Sequence, residues 1–122
     1  SIDPEKKGIQ LDATQLSAIA AFLRVLNAIE NIRQSAELLN DSTLHPPPRR
    51  EAAADLLKRA HSVVDGAARV LAESGLHPQA VTLLREAQQQ IARAAVYHSP
   101  PRSIIDDALR AQDRARAELV QP

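Results

Sequence analysis

The sequence contains no cysteine, no methionine and no tryptophan, and its 122 residues include one phenylalanine and one tyrosine. Without cysteine there is no disulfide, thiolate nucleophile, cysteine-ligated zinc or thioether-attached haem. Glycine is almost as scarce, at three residues, so no glycine-rich loop exists to cradle a phosphate. No apolar run approaches the roughly 18 residues of a membrane span, and the opening SIDPEKKG is not a signal peptide. An excess of one charge is missing too: 15 Lys and Arg balance 15 Asp and Glu, leaving no long-range field to attract a phosphate backbone or an anionic lipid surface. Neither nucleic acid nor a membrane is an expected partner. The lack of methionine, even at position 1, fits a fragment of a longer chain or a processed product.

What is present is helix-forming. Apolar residues make up 44% of the chain, many of them alanine, so helices are expected to approach closely around a thin, leucine-rich core. The few glycines and clustered prolines divide the chain into four helical stretches, at about 12–39, 49–74, 78–98 and 101–120. The very short connection between helices two and three makes them antiparallel neighbours, and the four stretches predict an all-α, antiparallel up-and-down four-helix bundle forming one domain over 1–122.

Each boundary has a mechanism. Asp12 and Gln15 have capping-box spacing, with Leu11 and Leu16 as the accompanying staple. Three prolines in NDSTLHPPP, residues 40–48, stop the first helix and can precede the second. Gly75 can end helix two in the left-handed conformation, with Leu76 expected to fold back onto Leu71. Pro78 opens helix three, and Ser103 with Asp106 is a candidate capping box for helix four.

Helix one carries two apolar stripes. Leu16, Ile19, Leu23 and Leu26 form one; Phe22, Val25, Ile29, Ile32, Ala36 and Leu39 form the other, displaced by roughly a third of a turn or more. This helix therefore has two surfaces to bury, and the second can be covered by another copy of the chain. Helix two repeats Ala53, Leu57, Ala60, Val64, Ala67 and Leu71. Helix three repeats Ala80 or Val81, Leu84, Ala87, Ile91, Ala94 or Ala95, and His98. Helix four has a weaker stripe of Ile105, Ala108 or Leu109, Gln112, Ala115 and Leu119.

No constellation of residues carries chemistry, and no catalytic, cofactor-binding or metal-binding residue is assigned. In an up-and-down bundle His45 and His98 fall at one end, His77 at the other, and His61 midway along helix two, so they do not converge on one ion. A bundle binding metal through its histidines is the alternative reading. Asp106 and Asp107 splay by about 100° on a helix, which suits a helix N-terminus rather than acid–base work. Ser62, Ser99 and Ser103 lie in no nucleophile motif. Gln88, Gln89 and Gln90 are expected on the solvated face.

The stretch IDPEKKGIQLDATQLSAIAAFLRVLNAIENI, residues 2–32, resembles the C-terminal end of a bacterial di-haem cytochrome c peroxidase-like protein. The matching residues are Gly8, Leu11, Leu16, Ala21, Phe22, Leu23, Leu26 and Asn27, about a quarter of the chain being covered. The family's Cys-x-x-Cys-His is absent, so no haem ligand carries over to any histidine here. The resemblance implies a periplasmic parent protein bearing haem c, followed by an appended helical domain. That domain docks to the parent haem domain or to another protein, or supports the peroxidase near its electron-entry site. It would also give the two stripes a cause, the Leu16 face meeting the haem domain and the Phe22 face the bundle.

Overall fold

The computed structural model describes residues 12–44 and 50–121. They form four helices: α1 (Ala13–Ser42), α2 (Arg50–Ser74), α3 (Pro78–Ala95) and α4 (Arg102–Val120). The chain is an all-α, antiparallel up-and-down bundle. α1 packs on α2, α2 on α3, α3 on α4, and α4 closes the ring on α1 by the thinnest of the four seams.

The capping box at the start of α1 is complete. The Asp12 carboxylate accepts from the Gln15 amide at 2.7 Å, and the Gln15 side chain accepts from the Asp12 amide at 3.0 Å. Leu11, its expected staple partner, lies outside the described residues, as do His45 and Pro46–Pro48. α1 runs three residues beyond its expected end. Its last turn is tied by its own side chains, Asn40 Nδ2 donating to the Ala36 carbonyl and Ser42 Oγ to that of Leu39.

Gly75 ends α2 with φ at 68°, and its amide donates to the Leu71 carbonyl. Leu76 does not fold back onto Leu71 but stands out in solvent, 60% exposed. α3 stops at Ala95, short of the expected residue 98. The two prolines at 100 and 101 disfavour helical geometry in what precedes them, and His98 stands exposed beyond the helix. α4 begins at Arg102 after Pro101 with no side-chain cap, so the Ser103 capping box does not form; by then Ser103 is already inside the helix.

The core follows the expected repeats on α2, α3 and α4. Ala53, Leu57, Ala60, Val64, Ala67 and Leu71 are buried on α2, with Leu84, Ala87 and Ile91 on α3 and Ile105, Ala108, Ala115 and Leu119 on α4. Alanine at so many of these positions lets the helix axes approach, and the leucines and isoleucines fill the layers between. Of two buried glutamines, Gln88 is a correction to the expected solvated run, while Gln112 lies in the stripe where it was expected. Gln88 is buried because Arg85 and Asp65 give its amide partners, whereas Gln89 is exposed. Gln112 is buried against Ser35.

α1 is the exception among the helices. Its buried residues are Ala28, Ile32, Ser35, Leu39 and Ser42, and among the described residues none before Ala28 is buried. Phe22 and Ala36 were expected on that face; instead Phe22 is 61% exposed and Ala36 only half-buried. Small Ala28 and Ser35 take inner positions, Ser35 at the α1–α4 seam against Gln112, while α1 and α2 share the most extensive interface in the bundle. Gly66 of α2 lies opposite Asn31, where an added Cβ would come within 3.6 Å of the amide nitrogen.

Candidate interaction surface

At about 100° per residue, the direction of Leu16, Ile19, Leu23 and Leu26 is roughly 170° from that of Ala28, Ile32, Ser35 and Leu39. The first half of α1 thus turns its large apolar side chains away from the bundle that its second half helps to build. All four are exposed. On the bundle's side of this first half, Thr14, Ser17, Ala21 and Arg24 could not build a core, and Val25 packs against it while only partly buried.

Charge follows the same division. Between Ala13 and Ile29 the only charged residue is Arg24, on the side away from the exposed leucines. From Glu30 onward that outer face becomes polar, with Glu30, Arg33, Gln34 and Glu37 continuing the line of Leu16 and Leu23. Arg33 grips Glu30 with Nε to Oε1 at 2.9 Å and Nη2 to Oε2 at 2.7 Å, and it reaches Glu37 at 3.0 Å. These hydrogen bonds, and a further one from Gln34, hold the Glu30 carboxyl down at about 2. The apolar face therefore has a sharp edge at Glu30, just past the middle of the helix.

On its flank the face runs into an open groove of about 490 Å³ at the bundle's end. Phe22, Val25 and Ile29 form one wall, Leu119 and Val120 of α4 the other, and Leu76 and His77 close it at the α2–α3 turn. The groove exists because α1 and α4 are joined only over the far part of their seam. There Arg102 donates to Thr43 Oγ1 at 2.9 Å and Asn40 Oδ1 at 3.0 Å while pairing with Asp106. Nothing similar links Phe22 to Leu119.

A second groove, about 460 Å³, lies between α2 and α3, with Leu57 and Ile91 among its lining residues together with Lys58, His61 and Ser62. His61 is thus placed on an apolar groove, His77 at the start of α3 and His98 after its end, and the structure does not bring them together. Among the described residues no group of three or more His, Asp or Glu is placed to hold a metal ion. Beside this groove Asp65 accepts from Arg85 at 2.7 Å, with Gln88 and Arg69 also within reach. The Arg85 hydrogen bond is the chief cause that lowers its carboxyl below the ordinary range, against the opposing effect of desolvation. Asp106 and Asp107 do not face one another as a catalytic pair: Arg102 takes the first and Arg110 the second.

The spacing of Leu16, Ile19, Leu23 and Leu26 is legible in the sequence as an apolar stripe, and periodicity alone does not give its direction; the outward direction was expected from the resemblance only. The groove was not expected, since Leu76, Leu119 and Val120 come together with α1 only through the fold. Among the described residues no helix is long and apolar enough to cross a membrane. Compared with family models, curated proteins and solved structures, the chain matches none.

Proposed function

We propose that this chain is a non-catalytic accessory domain that acts by binding protein through the first half of α1, and that it belongs to a periplasmic di-haem cytochrome c peroxidase-like protein. The observation that carries the binding role is the outward, nearly uncharged apolar face of Leu16, Ile19, Leu23 and Leu26. Singly exposed leucines are ordinary on protein surfaces, but a contiguous patch with a polar edge marks an interaction site. Support for the parent comes from the resemblance of residues 2–32, whose matches at Leu16, Ala21, Phe22, Leu23, Leu26 and Asn27 fall within this part of α1.

This chain's own residues do not fit haem c. Attachment needs two thiols, and the sequence has no cysteine. Any haem would belong to the parent's other domains, and the role left to this chain is recognition.

The complete gene product tests both parts. Its visible spectrum is expected to show c-type haem, and a spectrum without it removes the peroxidase-like parent. Leu23→Glu in that product is expected to leave haem content unchanged and to weaken association with its protein partner; unchanged association would remove the binding role of α1.

A further inference from the structure

We infer that the partner covering the first half of α1 is a second copy of this chain, the two α1 segments packing antiparallel about a two-fold axis. This deepens the proposed function and rests on its reading of α1 as a binding face.

The first ground is area. Leu16, Ile19, Phe22, Leu23, Leu26, Leu76 and Val120 are each between 44% and 61% exposed. At about 100 Å² apiece they offer on the order of 700 Å², close to the ~800 Å² that each partner contributes to a standard interface. Leu16 to Leu26 alone would fall well short, so the groove beside Phe22 must take part.

Spacing and charge supply the rest. Steps of three, four and three residues are those of an a/d seam, which packs best against another helix. A self-complementary contact requires that the face not repel its own copy, and Arg24, the only charge from Ala13 to Ile29, points elsewhere. The seam is symmetric about its middle, so antiparallel pairing sets Leu16 opposite Leu26 and Ile19 opposite Leu23, with the Phe22 rings near the axis. Parallel pairing would set Glu30 against its own copy at the next seam position. Antiparallel pairing instead holds the two Glu30 carboxylates at opposite ends of the contact, each level with the partner's Asp12, a residue whose carboxylate is engaged by the Gln15 amide in capping its own helix.

Sedimentation equilibrium on the 122-residue chain tests the assignment, using wild type, Leu23→Glu, Ile19→Glu and, as a control at the other end of the bundle, Val96→Glu. The expected result is a dimer for wild type and Val96→Glu, with both α1 variants monomeric at unchanged helicity. Each α1 substitution should weaken dimerisation at least 100-fold, about 2.7 kcal/mol. A wild-type chain that stays monomeric at about 100 μM, or α1 variants that still dimerise, would overturn it. If wild type is monomeric but Leu23→Glu blocks association of the complete gene product with another protein, the copy assignment fails and the binding role stands. If neither effect is seen, both fail.

Discussion

Ser35 Oγ donates to Gln112 Oε1 at 2.7 Å across the α1–α4 seam, with both side chains buried, and Gln112 Nε2 finds no acceptor among the described residues. Polar pairs of this kind fix the register of two helices at some cost in stability. Ser35→Ala should therefore destabilise the bundle by about 1–3 kcal/mol, because it leaves the Gln112 amide wholly unpaired. The double variant Ser35→Ala with Gln112→Leu should be at least as stable as wild type, since both polar groups are gone. Urea unfolding of the four members of this cycle measures it; a double variant less stable than Ser35→Ala alone would contradict the role given to the pair.

The two described glycines predict effects of opposite sign. Gly66 sits inside α2, and a Cβ there meets only Asn31 Nδ2, at an ordinary 3.6 Å. Gly66→Ala should stabilise by about 0.5–1 kcal/mol through helix propensity. Gly75 has open space around it but a φ of 68°, so Gly75→Ala should cost roughly 1 kcal/mol through backbone strain alone. Thermal unfolding of both variants reads the difference in sign directly.

At the polar edge of the α1 face, the hydrogen bonds from Arg33 and Gln34 lower the Glu30 carboxyl from an ordinary 4.5 to about 2. A carboxyl held below its unfolded value stabilises the folded state fully above the unfolded pKa, and the contribution is lost as pH falls through the folded one. The window here runs from about 4.5 down to about 2. NMR titration of the side-chain carboxyl should find Glu30 still ionised at about pH 3. Arg33→Ala should raise its midpoint towards the ordinary range, and a midpoint unmoved by that change would remove Arg33 as the cause. Asp65, lowered chiefly by Arg85, loses its contribution in the same acid direction.

The sequence made the bundle legible because its periodicity and its breaks agree. Leu57, Val64 and Leu71 recur at helical spacing between Pro48 and Gly75, and no competing pattern exists over that stretch. Two local signals misled. Ser103 looked like a cap, but Pro101 starts the helix earlier; Leu76 looked like a staple, but its way back to Leu71 was not taken. For α1 the Leu16 stripe was expected to face away from the bundle and the stripe from Phe22 to Leu39 to face it; Ile32 and Leu39 do face it, but Phe22 does not. Periodicity gives angles within a helix, not which side meets a neighbour, and the decision fell to Ala28 and Ser35, residues too small to stand out by hydrophobicity. The groove was hidden for a related reason, since Phe22 and Leu119 are far apart in sequence and meet only when the ring of helices closes.

Amide hydrogen exchange along α1, recorded at low and high protein concentration, tests most directly the claim that this helix serves its own bundle with one half and a second copy with the other. Protection over residues 28–42, which the bundle buries, should be strong and independent of concentration. Protection over residues 16–27 should be weak when the chain is dilute and rise as it is concentrated, and Leu23→Glu should abolish the rise. Equal protection of both halves at every concentration would contradict the account.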